Sequence, residues 1–198
     1  MHHSKHGYHH SFSDIEASIK RFDDPQRTIW QKPDDVVKVL KLNSNDSIVD
    51  IGAGTGYFSL RMAKACLGCT VYAADVEPSM IEYLKEQSQK QGLSNHKAVL
   101  IPTNKAKLPA KVDLVLVVNT YHHIDDRIKY FHGLQKLLNP SGRIAIIDFT
   151  HDSPEGPPAE HRISKESLEA EMKKAGFTLN QDIDLLPYQY FLVFKKSE

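Results

Sequence analysis

Short apolar stretches alternate with longer amphipathic ones along residues 47–149. The short stretches have the apolar character of buried strands, while apolar residues in the longer ones recur at helical spacing. Five strand–helix alternations favour a mostly parallel sheet with helices on both faces. The last two apolar stretches are joined without a helix, which predicts a C-terminal antiparallel hairpin and seven strands in all. Predicted strands cover 47–51, 70–75, 97–101, 112–119, 143–149, 177–185 and 190–195; predicted helices cover 55–65, 78–91, 126–138 and 164–175, with a turn at 139–142.

The composition restricts the classes of function that suit this chain. Lys plus Arg and Asp plus Glu number 25 each, so the formal net charge is zero. A general nucleic-acid binder carries a basic surface, which a neutral chain does not supply. The longest apolar run is too short to cross a bilayer, and the N-terminus has no apolar stretch of the signal-peptide type. We therefore expect a cytoplasmic protein with no nucleic-acid partner and no membrane insertion.

The N-terminus differs in composition from the rest of the chain. Five of the eleven histidines fall in the first dozen residues. Such a tract binds metal adventitiously in some proteins, but a flexible terminus is the simpler interpretation. We divide the chain into a His-rich segment with a cap helix at 1–32 and a main domain at 33–198.

The two cysteines form a single CxxC pair, Cys66 and Cys69. Such a pair is a redox centre, half of a zinc site, or two structural thiols. Since the chain has no second CxxC to complete a four-thiolate zinc site, we interpret the pair as two thiols at a helix end.

The stretch VDIGAGTGYF at 49–58 carries the most specific signal. A strand ends at Ile51, three glycines follow at alternate positions, and a helix comes next. Glycine permits a tight turn and the close approach of a ligand to the backbone, while the helix N-terminus offers free N–H groups. A dinucleotide site of the G-x-G-x-x-G type needs a glycine at position 57, where this chain has Tyr57. Asp75 ends the second strand, where a carboxylate can accept hydrogen bonds from the ribose of a nucleoside.

This combination resembles the first motif of class I S-adenosylmethionine-dependent methyltransferases. The resemblance covers 33–150, and the stretch KKAGF at 173–177 and the final hairpin extend it to the end of the chain. It implies a Rossmann-like, doubly wound α/β fold in which S-adenosylmethionine lies beyond the carboxyl ends of the strands.

The resemblance also implies a role for individual residues in binding the cofactor. Asp50 would face the amino group of the methionine part, Asp75 would bind the ribose, and Val76 would flank the adenine. Asn104 stands where the family often has an acidic residue that meets the adenine amino group, and Asn119 would help to hold the methionine part. The implied cofactor-binding residues are Asp50, Gly52, Gly54, Gly56, Tyr57, Asp75, Val76, Asn104 and Asn119.

The end of the fourth strand, NTYHHI at 119–124, bears on the methyl acceptor. Enzymes that methylate exocyclic amino groups of bases usually have Pro-Pro after the Asn or Asp here, and RNA cytosine C5 enzymes need Pro-Cys. Neither is present. The segment 121–149 resembles the ubiquinone and menaquinone biosynthesis branch, in which a histidine often follows the fourth strand. This implies methyl transfer to a small-molecule acceptor, with 27–33 and 150–164 closing over it.

His122 and Asp148 are the candidate catalytic residues. Acid–base help is needed in methyl transfer only if the nucleophile must lose a proton. Asp148 ends the fifth strand, where it orients or deprotonates a substrate or merely caps a loop. If the backbone is extended at the histidine pair, His122 and His123 point to opposite faces. This argues against a shared metal ion, so we predict no metal site and assign His122 to the cleft.

Two alternatives stay open beside a small-molecule methyltransferase. One is a protein that binds S-adenosylmethionine without turnover, in a sensing or regulatory role. The other is a methyltransferase directed at proteins. The acceptor atom and the oligomeric state are not identified by the sequence.

Overall fold

The computed structural model describes residues 19, 20, 22 and 24–198. The strands are β1 (Ser47–Ile51), β2 (Thr70–Asp75), β3 (His96–Leu100), β4 (Val112–Val118), β5 (Leu138–Phe149), β6 (Phe177–Asp182) and β7 (Gln189–Lys196). The helices are α1 (Pro25–Gln31), α2 (Pro33–Val39), α3 (Ser59–Ala65), α4 (Pro78–Lys90), α5 (Arg127–Leu134) and α6 (Lys165–Lys174). Short 3₁₀ helices lie at Tyr121–His123 and Ala159–His161.

All seven strands form one sheet in the order β3-β2-β1-β4-β5-β7-β6. Strands β1 to β5 are parallel to one another. The last strand, β7, is antiparallel to both β5 and β6. The predicted fold class is therefore confirmed, including the antiparallel hairpin at the end.

The core consists of two apolar layers, one on each face of the sheet. One layer holds apolar side chains of α5 and α6, and the other holds those of α2 and α3. Strand β4 contributes to both, and Val115, Leu116 and Val117 are fully buried. Burying each such side chain stabilises the fold by roughly 1.5–3 kcal/mol. The continuous apolar run of β4 thus reflects its central position between two covered faces.

A single residue joins α1 to α2. The side chain of Asp24 caps α1 by accepting a hydrogen bond from Gln26 N at 2.8 Å. Lys32 ends α1 in the left-handed conformation with φ 43°, and Pro33 opens α2 in the position where a missing N–H costs nothing. This joint sets α1 apart from α2 as a separate short helix.

Two predicted boundaries are wrong for local reasons. The predicted turn at 139–142 lies within β5, where the pairing with β4 shifts from Val112–Leu138 to Leu114–Arg143. Turn-forming residues here make a bulge instead of reversing the chain. The helix predicted from residue 55 begins at Ser59, because the turns of the glycine loop continue to that point.

The cysteines form a disulfide, so the prediction of two thiols is wrong. Cys66 directly follows α3 and Cys69 precedes β2, and the turn between them brings their Cα atoms to 5.3 Å. The disulfide lies at the amino end of β2, which is the edge of the sheet opposite to the carboxyl ends of the parallel strands.

The predicted His-rich segment and the start of the cap helix lie outside the described residues, while 19, 20 and 22 have helical backbone. None of the helices in the described part of the chain combines the length and the apolarity needed to cross a membrane.

Candidate active site

The carboxyl ends of β1, β2, β4 and β5 meet at one edge of the sheet. Gly52 follows β1, Asp75 ends β2, Asn119 follows β4, and Asp148 is the penultimate residue of β5. Ligands of open parallel sheets bind at this edge. The parallel topology therefore brings together most of the residues that the sequence predicted for the site.

The glycine loop is held tightly against its neighbours. Gly52, Gly54 and Gly56 all have positive φ, at 74°, 53° and 86°. A Cβ on Gly52 would lie 2.4 Å from Thr120 Oγ1, and one on Gly56 would lie 2.8 Å from Leu84 Cδ2. The first and third glycines are thus required by packing as well as by backbone conformation.

Asp75 is held by one backbone amide of this loop and one that follows β2. Its Oδ2 accepts a hydrogen bond from Gly54 N at 2.8 Å, and its Oδ1 accepts one from Glu77 N at 3.1 Å. Burial raises the pKa of Asp75, although these N–H donors oppose the shift. The carboxylate therefore ties the second glycine to the end of β2, and its contact with a ribose stays a prediction.

Asp50 is the second carboxyl group of this edge. It is only 3% exposed. Burial, and then the charge of Asp75, raise the pKa of Asp50 to about 7, although the N–H of Ser59 and the charge of Arg27 favour the ionised form. The two carboxyl groups thus influence each other, and a cationic ligand bound beside them would favour their ionised forms.

Tyr57 links the glycine loop to α1. Two guanidinium groups lie over its ring, with the Cζ atoms of Arg27 and Arg61 at 4.0 and 4.2 Å from the ring centroid. Its hydroxyl lies 3.1 Å from Thr28 Oγ1. The ring thus already contacts two cations of the protein, and a direct cofactor contact of Tyr57 stays a prediction.

Val76 and Asn104 lie at the outer part of this edge. Val76 is 38% exposed, directly after Asp75. An apolar side chain left open next to a ribose-binding candidate is suited to cover a flat base. Asn104 is exposed in the loop between β3 and β4. The adenine contacts of both residues stay predictions.

One buried tyrosine anchors the residues that follow β4. Tyr121 is fully buried, and its hydroxyl donates to Glu171 Oε2 at 2.7 Å. Arg127 donates to the same carboxylate at 2.6 and 2.9 Å. This anchors the 3₁₀ helix at Tyr121–His123 to α6. The condition of an extended backbone at the histidine pair is therefore not met, and the rings of His122 and His123 pack together with centroids 4.2 Å apart.

His122 forms a pair with Asp148. Its Nδ1 lies 2.9 and 3.0 Å from the two carboxylate oxygens, and its backbone N–H donates to the same group at 3.3 Å. Asp148 is 2% exposed. Since an ionised carboxylate only accepts, Nδ1 carries the proton and Nε2 of a neutral ring is left as an acceptor. His123 is exposed. The assignment of His122 to the cleft stays a prediction.

His122 Nε2 remains accessible. Among the described residues it forms no hydrogen bond, and no buried side-chain nitrogen or oxygen there lacks a partner. The His122 side chain is 6% exposed, so Nε2 keeps a small accessible surface that a ligand can contact. Nor do the described residues include any group of three or more potential metal ligands of the His, Cys, Asp or Glu type.

Two glutamines that the sequence did not single out also reach this site. Gln31, at the end of α1, donates to Gln189 at the start of β7, and Gln189 donates to Asn119 Oδ1. Gln31 and Gln189 are 158 positions apart. No local pattern marks such a pair, because these polar side chains become buried and adjacent only when the elements assemble.

The predicted closing segment 150–164 is an ordered loop held by one arginine. Arg162 donates to the carbonyl oxygens of Thr150, His151, Ser153, Glu155 and Pro157, at 2.7–3.2 Å. A Cβ on Gly156 would lie 2.6 Å from the ring of Phe149, so the loop packs directly on the end of β5. Its closure over a substrate stays a prediction.

Comparison with known proteins agrees with this geometry. A family model described as "Methyltransferase domain" matches residues 42–189. The chain is 32% identical over 104 residues to malonyl-[acyl-carrier protein] O-methyltransferase 1 of Ilyobacter polytropus, covering 52% of this chain and 38% of the relative. It is 26% identical over 144 residues to 27-O-demethylrifamycin SV methyltransferase of Amycolatopsis mediterranei, covering 71% and 50%. The chain thus spans half or less of the length of these curated relatives.

A solved structure gives the same result over nearly the whole chain. A SAM-dependent methyltransferase from Aquifex aeolicus superposes with a TM-score of 0.84 at 28% identity, covering 91% of this chain and 97% of that one. The buried carboxyl groups and the glycine loop suit the positively charged S-adenosylmethionine. The chain belongs to the methyltransferase-domain family, whose methyl donor is S-adenosylmethionine.

Proposed function

We propose that this chain methylates a hydroxyl oxygen of a small organic molecule, with His122 as the base. The observation that carries the proposal is the His122–Asp148 pair at the carboxyl edge of the sheet, with Nδ1 bound to both carboxylate oxygens at 2.9 and 3.0 Å. A buried carboxylate in this position fixes the tautomer and the orientation of the ring.

The pair favours a nucleophile that must lose a proton. Bound S-adenosylmethionine supplies a methyl group on a sulfonium, which is already a good leaving group. A hydroxyl acceptor still has to give up its proton, and His122 Nε2 is the open acceptor that would take it. Asp148 then stabilises the positive charge that forms on the ring. An acceptor that attacks with a free lone pair and no proton would gain little from this arrangement.

The cofactor would be held by groups already placed by the fold. Asp50 and Asp75 would face its ammonium and ribose, Val76 would cover the base, and Asn119 would contact the methionine part. The support is the common location of these groups at one edge, the burial of the Asp50 and Asp75 carboxyl groups, and the exposure of Val76.

A small acceptor is supported by the aromatic side chains around the carboxyl end of β5. The Trp30 ring of α1 lies 5.9 Å from the Phe149 ring at the end of β5 and 6.3 Å from the Tyr188 ring. Such side chains form the walls of small-molecule pockets. The zero net charge gives no electrostatic attraction to nucleic acid. A cytoplasmic location stays a prediction.

The test is transfer of a labelled methyl group to a defined set of acceptors. The protein is incubated with methyl-labelled S-adenosylmethionine and either a panel of hydroxylated aromatic compounds or the small-molecule fraction of a cell extract, and products are identified by mass. We expect O-methylated products. We expect His122→Gln to lower kcat about 10²- to 10⁴-fold, the usual range for a general base, with little change in affinity for S-adenosylhomocysteine.

The matched control is His132→Gln, because His132 is an exposed histidine of α5. A second control uses a phenol that is already ionised at the assay pH, for which the loss in His122→Gln should be much smaller. An equal loss for ionised and un-ionised acceptors would contradict base catalysis. Tight binding of S-adenosylhomocysteine with no methylated product from any source would favour the rival, a binding protein without turnover.

A further inference from the structure

A continuous chain of side-chain hydrogen bonds runs from α1 to the end of β4. Arg27 Nε donates to Gln31 Oε1, Gln31 Nε2 donates to Gln189 Oε1 at 2.8 Å, and Gln189 Nε2 donates to Asn119 Oδ1. Gln31 is fully buried and Gln189 is 4% exposed. We call these four residues the amide relay.

The direction of every bond in the relay is set by its first member. A guanidinium only donates, so the oxygen of Gln31 must face Arg27. The Gln31 nitrogen therefore faces Gln189, whose oxygen must accept. The Gln189 nitrogen then faces Asn119, whose oxygen must accept in turn. Reversing any one amide would set two donors against each other in a buried place, which is costly.

The last member of the relay stands at the cofactor edge. Asn119 follows β4 in the left-handed conformation, with φ 54°, and its backbone N–H donates to Ile147 O at 2.9 Å. The neighbouring Thr120 packs on Gly52 of the glycine loop. Within the described residues Asn119 Nδ2 has no partner, and no buried polar side-chain atom there lacks one. Nδ2 is therefore the accessible end of this amide.

We propose that Arg27, Gln31 and Gln189 are positioning residues that hold the Asn119 amide so that it presents only a donor to the cofactor. Asn119 thereby selects an oxygen acceptor on the ligand, such as a carboxylate, and does not bind its ammonium group. This inference rests on the cofactor contact of Asn119 included in the proposed function. It also explains a buried polar pair that packing alone does not require.

Glutamate at either glutamine reverses the relay. In Gln189→Glu, both carboxylate oxygens accept, so Asn119 has to turn its Nδ2 toward position 189 and its Oδ1 toward the cofactor. In Gln31→Glu, both Arg27 and Gln189 donate to the new carboxylate. The Gln189 amide has to rotate to do so, and the Asn119 amide then has to rotate in turn. The second variant acts on Asn119 through one intervening residue. Gln26→Glu is the matched control, because Gln26 is an exposed residue of the same helix.

The measurement is the affinity for S-adenosylhomocysteine by calorimetry, with unfolding temperature as a check on folding. We expect Gln31→Glu and Gln189→Glu each to weaken binding about tenfold or more, and Gln26→Glu to stay within about twofold of the unmodified chain. We expect Gln31→Glu to cause no further loss in an Asn119→Ala background, because its effect passes through the Asn119 amide.

Two results would overturn the proposal. One is binding by Gln31→Glu and Gln189→Glu that matches Gln26→Glu. The other is a loss of the same size in the Asn119→Ala background, which would mean that the change acts by moving α1. If Gln31→Glu does not fold, Gln189→Glu in the two backgrounds decides the question. Since binding needs neither acceptor nor base, failure of this test is distinct from failure of methyl transfer.

Discussion

Replacing Asp50 with Asn should stabilise the cofactor-free protein and weaken cofactor binding. Asp50 is buried at the end of β1 beside Asp75, and its pKa is raised from 3.8 to about 7. The folded protein therefore keeps a proton on Asp50 that the unfolded chain releases above about pH 4. The contribution of the Asp50 carboxyl group to the free energy of unfolding therefore falls as the pH rises from about 4 to about 7. Asn has no such charge to bury.

The size of the effect follows from the two pKa values. Each pKa difference of one corresponds to about 1.4 kcal/mol. Relative to strongly acidic pH, the raised pKa of Asp50 thus lowers the stability of the folded protein by on the order of 4 kcal/mol at pH 8 and by about 2 kcal/mol at pH 5, where the folded protein still holds the proton. For a chain of this length, 1 kcal/mol shifts the unfolding temperature by roughly 2–4 °C. The gain in Asp50→Asn should therefore be about twice as large at pH 8 as at pH 5.

The assay is thermal unfolding of both proteins at several pH values, together with calorimetric binding of S-adenosylhomocysteine at pH 8. We expect the gain in stability of Asp50→Asn to grow as the pH rises. We also expect Asp50→Asn to lose affinity, because Asn offers no negative charge to the cofactor's ammonium group. A stability difference that is the same at pH 5 and pH 8 would refute the assignment of a buried, shifted carboxyl group. Unchanged affinity would refute the assignment of Asp50 to the cofactor.

Two further predictions concern the glycine loop and the disulfide. Gly52→Ala should destabilise the fold by roughly 2–3 kcal/mol in denaturant unfolding, because it adds a clash with Thr120 to the cost of positive φ. The control is Gly92→Ala, which should lose only about 1 kcal/mol, because Gly92 has φ 66° but no neighbour within 4 Å of the new Cβ. Equal losses in the two variants would contradict the packing argument. Reducing the Cys66–Cys69 disulfide should cost about 2 kcal/mol of stability from loop entropy. It should leave affinity for S-adenosylhomocysteine unchanged, because the bond lies at the other edge of the sheet. A clear drop in affinity on reduction would contradict this reasoning.

Local periodicity was sufficient to predict the sheet. The strand at the centre of the chain is apolar almost throughout, and only a strand covered on both faces has this composition. The glycines and Asp75 mark the ends of two strands because backbone conformation and packing restrict residue choice there. Boundaries were less predictable. The residues at 139–142 favour a turn, yet pairing with β4 keeps them in β5 as a bulge.

The geometry of the candidate site depended on contacts distant in sequence. His122 was chosen over His123 on an assumed extended backbone, whereas the backbone is a 3₁₀ turn anchored by Tyr121 on Glu171. In the structure His122 differs from His123 by its pairing with Asp148, and its position in the cleft stays a prediction. Cys66 and Cys69 likewise gave no sign of their state, because a disulfide depends on how the end of α3 turns into β2.

The sequence by itself determined the order of strands and helices, the glycine loop, and the carboxyl groups near the ends of β1 and β2. These are local consequences of side-chain periodicity and backbone freedom. Only the tertiary structure decided which polar groups share a buried space, such as Gln31 with Gln189, or His122 with Asp148. The physical reason is that a polar side chain becomes costly to leave unpaired only after the chain has enclosed it, and its partner is then the group that the topology brings nearest.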